Sequence, residues 1–170
     1  AAGAGGHAGA LSPFALMQEI RDWFDGPVAL SGAIAHGRSI LAAQALGADF
    51  AYIGSPWIAT TEANAPPGYK DAIVESRAAD IVYSNFFTGV HGNYLRPSIV
   101  AAGLDPDNLA HSDPTKMNFG SGGTTAVKAW KDIWGSGQGI GAVKAVASVA
   151  ERVEKLAAEY NQARRELQTK

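Results

Sequence analysis

One imidazole stands in a run of small residues, Gly3-Ala4-Gly5-Gly6-His7-Ala8-Gly9. Glycine neighbours leave a histidine open to close approach by a ligand, and a neutral imidazole accepts protons near neutral pH. A Gly/Ala tail carrying a solvated histidine has the same composition, so both readings stand at this level. A second constellation is Ser31-Gly32-Ala33 together with Gly54-Ser55. Each follows a short apolar run and precedes a helix or turn. Backbone N–H groups at such points, backed by a helix N-terminus, bind phosphate. The plainer alternative is that glycine only permits a tight strand-to-helix turn. A third is Trp130-Lys131-Asp132-Ile133-Trp134-Gly135-Ser136-Gly137-Gln138-Gly139. It could offer an apolar wall and an amide to a planar ligand, or its two Trp could pack a core.

Other chemistries are not written here. The sequence has no G-x-G-x-x-G, no Walker lysine and no G-x-S-x-G. No H-x3-H or H-E-x-x-H spacing is present, and Asp105-Pro106-Asp107 lacks the Gly and terminal Glu of a calcium loop. No metal is therefore expected. His36 reads as a helix cap, and His91 and His111 carry no motif.

The elements that must position these residues follow a βα rhythm. Ser12-Pro13 is a hydroxyl cap followed by a first-turn proline. Leu16, Met17, Ile20, Trp23 and Phe24 recur at helical spacing before Gly26. Residues 27–30 and 49–53 are apolar runs, read as parallel strands buried on both faces, with a helix over 38–46 between them. The rhythm then breaks. A helix is expected over 68–79, short pieces over 81–85 and 97–102, and a long polar stretch over 105–125 that crosses a binding face or partner surface. A last helix is expected over 143–167. Its stripe of Val146, Val149, Val153, Leu156, Tyr160, Ala163 and Leu167 fits docking on its own domain better than a coiled coil of barely three heptads. Three segments result: βα units in 1–65, a helical and loop excursion in 66–140, and a docking helix in 141–170.

Composition narrows the class. The 170 residues hold 14 Lys and Arg against 16 Asp and Glu, a formal charge of -2, which lacks the basic field of a nucleic-acid binder. No apolar run approaches the roughly 18 residues of a membrane span, and the first residues lack a secretory pattern. Absence of Cys removes disulfides, thiolate metal sites and a Cys nucleophile. A soluble, cytoplasmic protein is expected.

In this order the motifs resemble the nitronate monooxygenase family, also called 2-nitropropane dioxygenases, which are FMN-dependent (β/α)8 barrels. The family's A-G-G-H-x-G is similar to Ala4-Gly5-Gly6-His7-Ala8-Gly9, and its strand-7 motif to residues 27–38. Its A-L-G-A-D and M-G-T-R-F-L-A-T-x-E run resembles residues 45–49 and 53–62. Tyr69-Lys70, Phe87-Thr88-Gly89 and Gly137-Gln138-Gly139 also look like family features. The resemblance implies the C-terminal part of such a barrel: the end of strand 6, then strands 7 and 8. It implies His7 as catalytic base and Gly5 and Gly6 beside the cofactor. Gly32, Ala33, Gly54 and Ser55 would hold the FMN phosphate, with Ser136, Gly137 and Gln138 close by. The implied reaction is oxidation of nitronates, and of nitroalkanes, with O2. The alternatives are a flavin-dependent NAD(P)H:quinone or enoyl reductase of the same barrel class, and a non-catalytic ligand-binding or interaction module. Three positions depart from the pattern: Gly3 where an acidic residue is common, Ala33 where a second glycine is usual, and Ser55-Pro56-Trp57 where T-R-F is usual. A closed barrel needs about 200 residues or more. The chain is thus expected to pair with a preceding part of the same protein, with self-association left open.

Overall fold

The computed structural model describes residues 1–112 and 129–169. After the two-residue strand β1 (Gly6–His7), helix α1 (Pro13–Arg21) starts as its sequence dictates. Ser12 Oγ accepts from the Phe14 amide and proline occupies the first turn. The helix stops at Arg21, short of the expected Phe24. Trp23 and Phe24 therefore leave the helical face and are 74% and 38% exposed. The turn after the helix is held by Arg21, which donates to the carbonyls of Phe24, Gly26 and Gly47 and to the Asp49 carboxylate at 2.8 Å. Asp49 also accepts from Val28 N, and these bonds hold its carboxyl below the usual carboxylate range.

Strands β2 (Ala29–Ser31) and β3 (Phe50–Tyr52) pair in parallel, Leu30 opposite Ala51, with helix α2 (Gly37–Ala45) crossing between them. Met17, Leu30, Ile34, Ala43 and Ala48 form the core of this unit. The expectation of strands buried on both faces is corrected here. Phe50 and Tyr52 are 64% and 69% exposed, because among the described residues no element covers the second face of the pair.

Helices α3 (Ser55–Ile58) and α4 (Pro67–Glu75) follow, and Ile73 packs with Leu95, Ile140 and Val143 in a second core. The excursion is not only helix and loop. It contains an antiparallel hairpin, β4 (Ile81–Ser84) and β5 (Gly92–Leu95), and β5 also pairs antiparallel with β1. Helix α5 (Arg96–Ala101) continues directly from β5, and α6 (Ala129–Asp132) comes later. Of the polar stretch expected over 105–125, the part to residue 112 is anchored. Arg96 makes two bonds of 2.8 Å to Asp107, and Ser112 bonds Asn85. The remainder lies outside the described residues.

The terminal helix α7 is Val149–Gln168, and residues 143–148 are not part of it. Ser148 and Glu151 form a reciprocal capping box that sets the start. Glu62 adds its carboxylate to the Val149 amide at 2.9 Å. The helix docks along α2 through Leu156 and Ala163, while Val149, Val153 and Leu167 of the expected stripe stay exposed. Arg152 is buried beneath it, its Nη2 donating to Ala59 O and Ala145 O.

The two carboxylates at this helix start predict acid sensitivity. Donation from the Val149 amide, then the Thr61 hydroxyl, holds Glu62 below its ordinary 4.5. The Ser148 amide and hydroxyl do the same for Glu151. A depressed folded-state pKa contributes stability above the unfolded value and loses it as pH falls through the folded value. The melting temperature is expected to decline below about pH 4.5, and Glu62→Gln to shallow that decline. Parallel pH profiles for the two proteins would contradict it.

Candidate active site

Three loops converge where β1 begins and where β2 and β3 end. Gly3 O accepts from the Ala33 amide at 3.1 Å and from the Gln138 amide at 2.9 Å. Gly137 N donates to Ser55 Oγ at 2.8 Å. Between them lies a cavity of about 290 Å3, lined by Gly3–Gly6, residues 31–35, Gly54, Ser55 and Gly137 among others. Side chains are excluded from the junction. A Cβ on Gly137 would sit 2.6 Å from Gly3 O, and Gly32 has φ +125 with Ala2 O 2.6 Å from any added Cβ.

Of the residues named from sequence, Gly5, Gly6, Gly32, Ala33, Gly54, Ser55 and Gly137 share this wall. Ser136 does not; it is fully buried, and its amide donates to Asn93 O at 3.1 Å. Gln138 lies beside Gly3 rather than on the lining, with Oε1 3.0 Å from where a Gly3 Cβ would stand. His7 lines a neighbouring cavity of about 250 Å3 with Tyr69, Phe87, Thr88, Tyr94, Ile133 and Trp134; Gly6 and Gly135 border both spaces.

Several expected phosphate donors are already engaged. The Ala33 and Gly137 amides point at protein oxygens. The N-terminus of α2 is taken as well: Gly37 N donates to Glu159 Oε2 at 2.9 Å, and His36 caps the helix through Nδ1 at 3.0 Å from Arg38 N. A carboxylate of α7 thus occupies the dipole end that an external anion would otherwise use. Ser55 is differently placed. Its oxygen accepts from Gly137, and among the described residues its own hydrogen meets no acceptor.

Positions 3 and 33 compete for one space. A Cβ at Gly3 would lie 3.2 Å from the Ala33 methyl, so a side chain at 33 takes room that one at 3 would need. Ala33 has φ 55, a left-handed conformation that disfavours side chains.

Sequence reasoning missed Asn93. It is 2% exposed on β5, its Nδ2 donates to Ala4 O at 2.6 Å, and its backbone pairs with Gly6. It joins the glycine–histidine segment to the hairpin. A single Asn between Gly92 and Tyr94 gave no local signal. Tyr69 and Trp134 stack at 4.9 Å and 13°, and the Tyr69 hydroxyl donates to Gly135 O. Burial pushes the Tyr69 phenol up to about 12, so it stays protonated. Trp134 thus packs the core and walls the His7 cavity together. The side chain of Trp130 lies outside what the structure describes.

The parallel βα units and their convergent glycine loops are those of the C-terminal part of a (β/α)8 barrel. Solved structures agree on the fold. FabK from Thermotoga maritima matches with TM-score 0.74 and 22% identity, over 99% of this chain and 56% of that one. The nitroalkane oxidase from Streptomyces ansochromogenes gives 0.72 and 25%, over 98% and 52%. The chain belongs to the nitronate monooxygenase family, whose model matches residues 2–159. A Mycobacterium tuberculosis protein named as a monooxygenase is 38% identical over 115 residues, 67% of this chain and 30% of that protein. The chain therefore spans under a third of that relative and about half of the solved neighbours.

Proposed function

We propose that this chain supplies the cofactor-holding part of a cytoplasmic enzyme that oxidises nitronates, and neutral nitroalkanes, with O2. One observation supports it above the others: a backbone-walled cavity with a donor hydroxyl, Ser55, adjoins the cavity of His7 across Gly6 and Gly135. The residues fit FMN, since none of the lining side chains is acidic and glycine leaves the backbone open to an anionic tail. FMN when bound supplies the electron-transfer chemistry that protein side chains lack. Ser55 would donate to its phosphate, and Gly5, Gly6, Gly32, Gly54 and Gly137 would keep methyl groups out of its way. Ala33 would shape the wall, and Ser136 and Gln138 would support it from behind, since the amides of all three bond protein acceptors. His7, exposed beside an aromatic wall, would take a proton from carbon.

Titration of the protein with FMN, followed by quenching of flavin fluorescence, tests the reading. Saturable binding is expected, weakened about tenfold in Ser55→Ala, the loss of one charge-assisted hydrogen bond. Absence of saturable binding in the wild-type protein sinks it.

The open face of β2 and β3 supports the partner side of the proposal. Phe50 and Tyr52 are 64% and 69% exposed, suited to burial by further barrel strands of the same protein. Without them this face is expected to drive self-association. Sedimentation should show an average mass that rises with concentration, and a strict monomer at high concentration would argue against it.

A further inference from the structure

We propose that Thr88 is a positioning residue that holds His7 in its Nε2–H tautomer and leaves Nδ1 as the atom that accepts a proton. The inference deepens the proposed function and rests on it for the identity of the carbon acid. Thr88 Oγ1 lies 2.8 Å from His7 Nε2. A threonine hydroxyl has one hydrogen and two lone pairs. We assign the hydrogen to Val90 O, 3.0 Å away, a carbonyl that can only accept. The Val90 amide, at 3.4 Å, and the Tyr94 hydroxyl, at 3.5 Å, are more distant neighbours of the same oxygen. The shortest contact is the one to Nε2, and with the hydroxyl hydrogen in use it forms only if that nitrogen carries the proton. A neutral imidazole protonated on Nε2 has its lone pair on Nδ1. Among the described residues no hydrogen bond is made to Nδ1.

Thr88 is itself fixed. It sits in the turn between β4 and β5, closed by Gly89 N donating to Asn85 O at 2.8 Å. His7 is the last residue of β1, paired with Gly92 at the start of β5. The β4–β5 turn and β1 therefore bring the hydroxyl and the ring together at the same end of one sheet.

The step so arranged is a proton transfer. The Cα–H bond of a neutral nitroalkane breaks, the proton goes to Nδ1, and the electron pair delocalises onto the nitro oxygens. The imidazolium keeps its Nε2–H on Thr88 Oγ1, where the charge strengthens the bond. A nitronate arrives already deprotonated and needs no such transfer. Thr88 should thus matter to one substrate class more than to the other.

Two readouts test this. The first uses the 170-residue chain without flavin, labelled with 15N-histidine, at about pH 9, above the ordinary imidazole range. Long-range 1H–15N spectra are expected to show His7 in a single neutral tautomer, with an Nε2 proton slow to exchange. Thr88→Val should make that proton exchange quickly, and Thr88→Ser should retain the protection. Because free histidine already leans toward Nε2–H, protection is the deciding observation. An Nδ1–H tautomer, or equal protection in Thr88→Val, overturns the proposal. The second uses the flavin-loaded full-length protein. Thr88→Val is expected to lower the ratio of kcat/KM for nitroalkane over nitronate about tenfold, with Thr88→Ser restoring it. An unchanged ratio overturns it. Failure of flavin binding would undo the functional reading but leave the tautomer measurement to stand or fall by itself.

Discussion

Gly37→Ala is expected to destabilise the chain by about 3 kcal/mol or more, at the upper end of overpacking penalties. Gly37 is the first residue of α2, where it meets the side of α7. An added Cβ would stand 2.1 Å from Tyr160 N, 2.5 Å from Leu156 O and 2.6 Å from the Glu159 carbonyl carbon. All are backbone atoms of a helix, so no rotamer change relieves the contact. The two helices must separate, and separation breaks the Gly37 N bond to Glu159 Oε2 and the seat of Leu156. For a chain of this size the penalty is a fall of about 6 to 12 °C in melting temperature. Gly141 is the control. Nothing lies within 4 Å of its added Cβ, and Gly141→Ala should change stability by less than about 0.5 kcal/mol. Equal melting of the two variants in a circular-dichroism scan would show that α7 does not depend on close docking to α2.

Local signals in the sequence account for the βα units and for the positions of the glycine loops. Apolar runs closed by glycine mark β2 and β3 within one or two residues, because burial of one face and a tight exit are both local requirements. The strand β5 had no such mark. Gly92-Asn93-Tyr94-Leu95 neither alternates nor carries β-branched residues; it is a strand because Tyr83, Gly6 and Gly135 come to it from far along the chain. The start of α7 was legible in Ser148 and Glu151, but the apolar residues before it, Val143 and Val146, continue the helical spacing and mask the cap. At the site, residue types announce a place for an anion and an imidazole. They do not say which amides remain to serve it. That Glu159 fills the end of α2, and that Gly3 O consumes the Ala33 and Gln138 amides, follows from packing across most of the chain. The exposed faces of Phe50 and Tyr52 have the same character: the apolar run was read correctly as a strand, while its cover is a property of what lies opposite.

Asn93 offers the second large effect, and one that links stability to the site. Its Nδ2 donation to Ala4 O at 2.6 Å fixes the segment that carries Gly5, Gly6 and His7 against the hairpin. Asn93→Ala leaves a carbonyl without its donor in a part-buried position and opens a small void. The expected loss is about 2 kcal/mol. Asn93→Asp is more severe. It presents a carboxylate oxygen to the Ala4 carbonyl, two acceptors face to face, at a site only 2% exposed. Burial without a donor raises a carboxyl pKa in the folded state, so the penalty grows as pH rises from about 4 and is relieved in acid, where the neutral acid can donate. The melting temperature of Asn93→Asp should therefore fall further below wild type at pH 7 than at pH 4. Asn93→Ala should show a gap that varies little with pH. Both variants should also weaken FMN binding about tenfold through the loosened glycine segment, a smaller effect than outright loss because Gly3 O keeps its own two bonds. Equal stability of all three proteins at pH 7 would mean that the histidine segment is held by β1 pairing and its other bonds, and that the Asn93 side chain does not set the geometry of the site.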